Sequence, residues 1–187
     1  MFRELLAEEF TPYGKLSNDQ LDKLESHYNL LTRWNERMNL TRIRELKEVV
    51  QLHYCESLFL GNALPTGSLR IVDVGSGGGF PGIPVAIFRP DCVVDLCESN
   101  QRKSVFLRDA ARGLGNVGVK AQRADTLAPT YDWAVSRAVT PEEVIELRLA
   151  PNAALLLQET DARKFKGETI PIPWGAGRVL KLVKSET

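Results

Sequence analysis

Between Ile71 and Ile87 the chain reads IVDVGSGGGFPGIPVAI. Asp73 interrupts an apolar run, and Gly75, Gly77, Gly78 and Gly79 follow within five positions. Glycines accept positive φ and let a ligand come close to the main chain, so this segment has the makings of a binding loop. Three ligand classes compete for it. A nucleoside triphosphate loop needs GxxxxGK[ST], and no lysine follows these glycines. A dinucleotide loop needs GxGxxG at the start of a helix, and GGGFPG from Gly77 to Gly82 matches. The same motif begun at Gly75 fails at Phe80. Pro81 and Pro84 remove two N–H donors where a helix start would cradle a pyrophosphate. The prolines therefore favour a ligand without phosphate, and S-adenosylmethionine is one.

Two acids downstream suit the hydroxyls and amine of such a ligand. Glu98 ends a second apolar run, 23 residues after Gly75, in position to accept from ribose hydroxyls. Asp125 follows a third run and could accept from an adenine amino group. Glu98 alone does not separate NAD from S-adenosylmethionine. Asp125 beside Arg102, Lys103 and Arg123 separates them further. No metal site is expected. Cys55, Cys92 and Cys97 form no CxxC pair and are expected to be buried, reduced thiols.

The elements that must position these residues are legible in outline. Ser17 to Asn39 reads as an amphipathic helix opened by a Ser17–Gln20 capping box. A second helix is expected from about Glu45 to Leu60, stopped by Gly61. Strands are expected at Arg70–Val74, Val93–Cys97, Gly118–Gln122, Trp133–Arg137, Ala153–Gln158 and Arg178–Val183. Helices are expected at Pro84–Phe88, Gln101–Ala111 and Pro141–Leu149, the last with a Thr140–Glu143 capping box. Strand–helix alternation implies a parallel sheet covered on both faces. The division is a helical cap over residues 1–64 and an α/β core over 65–187.

Net charge is zero among 187 residues, which argues against nonspecific polyanion binding. The charge is nonetheless clustered. Arg102, Lys103, Arg108, Arg112, Lys120 and Arg123 oppose Asp109 alone between residues 101 and 123. Arg33, Arg37, Arg42 and Arg44 face only Glu36, and a third cluster runs from Arg163 to Lys184. Such patches suit a structured RNA or are solvated faces. No apolar run reaches a membrane span of about 20 residues, and the acidic N-terminus does not resemble a signal peptide, so a cytoplasmic protein is expected, with a monomer as the default.

Several segments together resemble a known family. They are YNLLTRWNERMNLT (28–41), HYCES (53–57), DVGSGGGFPGIP (73–84), RKSVFL (102–107), QRAD (122–125) and SRA (136–138). The sequence is similar to the bacterial small-subunit ribosomal RNA methyltransferase G family, also called glucose-inhibited division protein B. The resemblance implies a class I S-adenosylmethionine-dependent methyltransferase fold: α/β, Rossmann-like, mostly parallel with an antiparallel last strand, behind an N-terminal helical cap. It implies methyl transfer to N7 of a guanine in small-subunit (16S) ribosomal RNA, free or in a 30S particle. By position it puts cofactor contacts on Gly75, Phe80, Ala124, Asp125 and Arg137. RNA or active-site cations fall on Arg102, Lys103, Arg123, Arg137 and Arg178. The chain departs from the family at Gln158-Glu159, where Lys-Gly is usual, at Cys55-Glu56, where Leu-Asp is usual, and in a shortened 160–177 region.

The residue types agree with that chemistry. Guanine N7 carries a lone pair and no proton, so its methylation needs alignment and no general base. The fourth strand ends in Ser136-Arg137 and carries no [DNS]PP[YFW] tetrad for an exocyclic amine. Arg137 is therefore assigned to positioning, with a pairing to Asp125 or Glu98 as the alternative. Phe80 is expected as an apolar wall of the cofactor pocket, and Asp73, Gly77 and Gly79 as part of it. His53, Trp34 and Tyr28 read as packed residues of the cap. The rival readings are an NAD-dependent oxidoreductase using GGGFPG and a noncatalytic ribosomal RNA-binding protein on the same fold.

Overall fold

The structure, a computed structural model, describes residues 1–184. The N-terminal part holds α1 (Phe2–Phe10), α2 (Asn18–Asn35), α3 (Leu46–Val49), a π-helical segment (Val50–Cys55) and α4 (Glu56–Ala63). The rest alternates β1 (Arg70–Val74), α5 (Gly82–Phe88), β2 (Val93–Cys97), α6 (Gln101–Ala110), β3 (Val117–Lys120), β4 (Trp133–Ser136), α7 (Pro141–Glu146) and β5 (Asn152–Gln158). It closes with α8 (Glu159–Ala162), β6 (Glu168–Pro171) and β7 (Arg178–Lys184).

The seven strands lie in the order β3-β2-β1-β4-β5-β7-β6. β1 to β5 are parallel, and β7 runs antiparallel to both β5 and β6. Strand order therefore reverses between β1 and β4. A parallel sheet opens a crevice at that point, beyond the C-terminal strand ends. The glycine loop leaves β1 there.

Period-two alternation splits β1, β2, β4, β5 and β7 between two cores. Ile71 packs into the core shared with the cap, while Val72 and Val74 face the core under α7. Asp73 therefore points to the cap side with Ile71. That larger core runs without a break from Phe2, Leu6 and Phe10 through Leu24 and Tyr54 to Leu180 and Leu182.

The expected strands coincide with observed ones to within two residues at each end, and β1 and β2 match fully. Three local expectations need correction. First, α2 ends at Asn35, not Asn39, because the Asn35 side chain turns the chain back. Its Oδ1 accepts from Leu40 and Thr41 N–H at 2.9 and 3.0 Å, and its Nδ2 donates to the Thr41 carbonyl at 3.0 Å. Second, Gly61 does not stop the second helical run, which continues to Ala63 and ends before Pro65. Gly61 instead faces α5, where an added Cβ would lie 3.4 Å from Phe88. Third, Thr140 and Glu143 bond to each other at 2.7 Å and cap no backbone N–H. α7 stops at Glu146 because Arg148 takes φ +48°, outside the helical region. β6 has no sequence counterpart; ETIP is a largely exposed edge strand with proline at its end.

The Ser17–Gln20 capping box forms in both directions, at 2.9 and 3.1 Å. Ser17→Ala should lower unfolding free energy by about 1 kcal/mol. An unchanged midpoint in urea denaturation would contradict the capping role.

Candidate active site

A cleft of about 470 Å³ opens at the C-terminal ends of β1 to β4. That volume lies within the roughly 300–1,000 Å³ typical of small-molecule sites. Its walls are Gly75 from the loop, Glu98 and Ser99 after β2, Gln122 to Asp125 after β3, and Val139 to Leu147 around α7.

The loop turns inward on itself. Gly75 and Ser76 N–H both donate to the Cys97 carbonyl, at 2.9 and 3.1 Å. Gly79 and Phe80 N–H donate to the Ser76 carbonyl, at 2.7 and 3.2 Å. Gly77 N–H donates to Glu98 Oε2 at 2.9 Å, and Gly82 N–H to Asp73 Oδ2 at 2.8 Å. Pro81 has no N–H. The donors a pyrophosphate would require are thus spent inside the protein, which weighs against the dinucleotide reading. The loop needs glycine at Gly75, where φ is +73° and a Cβ would meet Val139 Cγ2 at 2.4 Å. At Gly77 the requirement is conformational: φ is +53°, and an added Cβ has only the Gly75 carbonyl within reach, at 3.9 Å.

Glu98 and Asp125 both line the cleft, as expected. Glu98 is buried, and its oxygens accept from Gly77 and Asn100 N–H at 2.9 and 3.0 Å. Each oxygen keeps a lone pair free, which suits vicinal hydroxyls. Asp125 sits at the rim, and the Arg123 guanidinium at 2.9 Å holds its carboxyl below the ordinary value. Ala124 and Gln122 complete that edge. The apolar walls are Val74, Cys97, Val139 and Leu147. Burial pushes the Cys97 thiol up to about 11, so it serves as wall and not as nucleophile. The three cysteines are free and buried. Hydroxyl acceptors at one end and an apolar slot at the other fit a nucleoside with a nonphosphate arm.

Other expected contacts lie elsewhere. Phe80 is not a wall of the cleft. It is buried among cap rings, stacked on His53 at 4.6 Å and edge-on to His27 and Tyr54, each at 5.1 Å. Gly79 faces Ile83 and His27. Asp73 is fully buried beneath the loop; it holds Gly82, and its Oδ1 has no hydrogen-bond partner. Arg137 pairs with neither Asp125 nor Glu98. Its guanidinium donates to His53 Nδ1, and burial lowers its pKa to about 10. Arg178 is not a free cation either. Its Nε and Nη2 bind the fully buried Glu56 carboxylate, both at 2.9 Å.

Arg102 lies on α6, in a groove of about 620 Å³ that also takes Arg33, Trp34, Arg37, Met38 and Val105. Lys103 is half-buried on the same helix. The C-terminal basic cluster is largely consumed: Arg163 and Lys164 pair with Glu159 and Asp161, and Lys181 is buried against Gly167 and Thr169. Tyr28 is packed flat on Phe2 at 4.5 Å, as a cap residue should be. Among the cleft residues that the sequence reading did not assign to the site are Val139, Glu143 and Glu146. The three-residue spacing of the two acids on a helix following β4 is the signal that marks them.

Burial raises the Asp73 carboxyl from its ordinary 3.8 to about 7. Between those values the folded state keeps a proton that the unfolded chain has released. This group therefore favours folding most below about pH 4, and its contribution is lost as pH rises through about 7. Buried His27 and His53, lowered by burial to about 4 and about 2, act in the opposite sense in acid. The comparison is thus with Asp73→Asn. Wild-type stability relative to this variant should fall between about pH 4 and pH 7 and level off above. A difference independent of pH would contradict the buried, protonated carboxyl.

Comparison with known proteins agrees with this layout. A ribosomal RNA small subunit methyltransferase G from Chromobacterium violaceum is 43% identical over 128 residues, 66% of this chain and 61% of that protein. This chain thus covers less than two thirds of that relative's length. One from Halorhodospira halophila is 40% identical over 164 residues, 83% of this chain and 74% of that protein. The crystal structure of the 23S rRNA methyltransferase ErmE superposes with a TM-score of 0.54 at 16% identity, over 69% of this chain and 67% of that one. At such identity the likeness speaks for the fold alone, which is that of class I methyltransferases. Residues 20–169 match the family described as rRNA small subunit methyltransferase G, and the chain belongs to that family.

Proposed function

We propose that this protein transfers a methyl group from S-adenosylmethionine to N7 of a guanine in small-subunit ribosomal RNA. The observation that carries the reading is the cleft at the β1–β4 switch point, with Glu98 and Asp125 on its walls and the loop donors turned away from it. Glu98 accepts the ribose hydroxyls, and Asp125 with Ala124 takes the adenine edge. Gly75 gives the main-chain floor. When bound, S-adenosylmethionine supplies an electrophilic methyl sulfonium. The protein's remaining task is to align N7 and exclude competing nucleophiles, since N7 has no proton to remove.

Arg137, at the end of β4, is the acceptor-side positioning residue. It could hold the O6 edge of the base or a flanking phosphate. Asp73, Gly77, Gly79 and Phe80 act behind the site by fixing the loop. Arg102, Lys103 and Arg123 face RNA, joined by Arg33 and Arg37 across the α2–α6 groove. Arg178 contributes through its pair with Glu56. The protein acts as a monomer in the cytoplasm on RNA, free or in a 30S particle. Among the described residues no helix is long and apolar enough to cross a membrane.

S-adenosylhomocysteine at 100 times its Kd should stabilise the protein by about 3 kcal/mol in thermal denaturation. NADH should leave the transition where it is. Stabilisation by NADH alone would replace this reading with the oxidoreductase one. Arg102→Ala should weaken RNA binding and reduce the salt slope of log K by about 1. A slope equal to the wild type's would remove Arg102 from the RNA interface.

A further inference from the structure

His53 belongs to the cap by sequence and packing, yet it touches a residue of the β4 end. It lies in the π-helical segment, within a run of six consecutive buried residues from His53 to Leu58. One wide turn of this kind shifts the helix phase, and such turns recur at functional sites. His53 here reaches Arg137, just past β4, and Glu56 reaches Arg178 at the start of β7.

The bonding of His53 determines its tautomer. The Arg137 guanidinium can only donate, so Nδ1 must be the unprotonated nitrogen. Nε2 then carries the proton and donates to Thr41 Oγ1 at 2.7 Å. Thr41 Oγ1 also accepts from Ile43 N–H at 3.1 Å, and Asn35 holds the Thr41 backbone. Phe80 lies against one face of the ring, at 15° to its plane. The imidazole is thus fixed at both nitrogens and on one face. Burial and the Arg137 charge keep it neutral.

The arrangement is specific in its electrostatics. A carboxylate beside Arg137 would neutralise it and compete with any incoming acceptor atom. The nearby carboxylate, Glu56, is engaged on both oxygens by Arg178. A neutral imidazole orients a guanidinium while leaving its charge intact. We propose that His53 is a positioning residue for methyl transfer: its unprotonated Nδ1 aims the Arg137 guanidinium and leaves that group's charge and remaining N–H donors for the acceptor nucleotide. The proposal rests on the acceptor-side role of Arg137 given above. It also ties that role to the cofactor loop, because the same imidazole stacks on Phe80.

The test is a set of variants assayed for kcat, for KM toward small-subunit RNA and for S-adenosylhomocysteine affinity. His53→Phe keeps a ring on Phe80 and removes the acceptor. It should lower kcat by about 10- to 100-fold, the effect of a displaced positioning group, with cofactor affinity unchanged. His53→Asn puts Oδ1 near the place of Nδ1 and should recover most of that loss. Combining His53→Phe with Arg137→Ala should be no worse than Arg137→Ala alone, since the two act as a unit. Wild-type turnover in His53→Phe, no rescue by Asn, or additive losses would each overturn the proposal. If Arg137→Ala keeps wild-type turnover, the Arg137 reading fails and takes the proposal with it. Loss of turnover in Arg137→Ala with full turnover in His53→Phe sinks the His53 role alone. If His53→Phe does not fold, Thr41→Val decides: releasing the Nε2 edge should reduce kcat with cofactor affinity retained, and unchanged kcat overturns the idea.

Discussion

The cap's grip on Phe80 is the contact on which the site depends. Phe80 sits midway along the glycine loop, and three cap rings, His27, His53 and Tyr54, enclose it. His27 adds a hydrogen bond to the Gly78 carbonyl at 2.9 Å and accepts from the Tyr54 hydroxyl at 2.9 Å. A loop rich in glycine has much backbone entropy to lose on ordering. Anchoring one large side chain in the cap offsets that loss. The backbone can then close on Cys97, Glu98 and Asp73, which turns its donors inward and leaves a ligand floor at Gly75. The cap therefore supports the loop behind the candidate cofactor cleft, although none of its residues lines it.

Charge is arranged with the same economy. The chain has as many acids as bases, yet the pairing is uneven. Arg178 is matched by a bidentate buried carboxylate, and removing one member of such a pair strands the other. Arg137, a few residues from the cleft wall at Val139, has a neutral partner and keeps its charge. Glu56 of HYCES is the carboxylate that Arg178 pairs with. Gln158 stands next to the turn at Gly177, where an added Cβ would lie 3.2 Å from its Oε1. Its uncharged side chain therefore belongs to the β5–β7 end of the sheet.

Much of this was legible in the residues. Short apolar runs marked β1, β2, β4, β5 and β7 because buried strands leave a strong, short-range signal. Glu98 and Asp125 could be placed at adjacent strand ends because each follows an apolar run that reads as a strand, and both line the cleft. Phe80 and Arg137 were assigned to the cofactor by motif position, and the structure gives them different partners. Their partner, His53, is distant in sequence and reaches them only through a π-helical turn that no periodicity reveals. Asn35 illustrates the same limit: polar, mid-helix by pattern, it ends α2 through bonds to Leu40 and Thr41. Local propensity encodes neither kind of side-chain contact. The edge strand β6, short and half polar, left no pattern either.

The most direct test of the account is transfer of a labelled methyl from S-adenosylmethionine to small-subunit ribosomal RNA, with the product mapped by N7-methylguanine-specific strand cleavage. The substrate should be offered as free RNA, as the assembled particle and as a partly assembled intermediate. The account predicts label at N7 of a single guanine in at least one of the three. No incorporation in any of them, or a methyl on an exocyclic amine or a ring carbon, would contradict it.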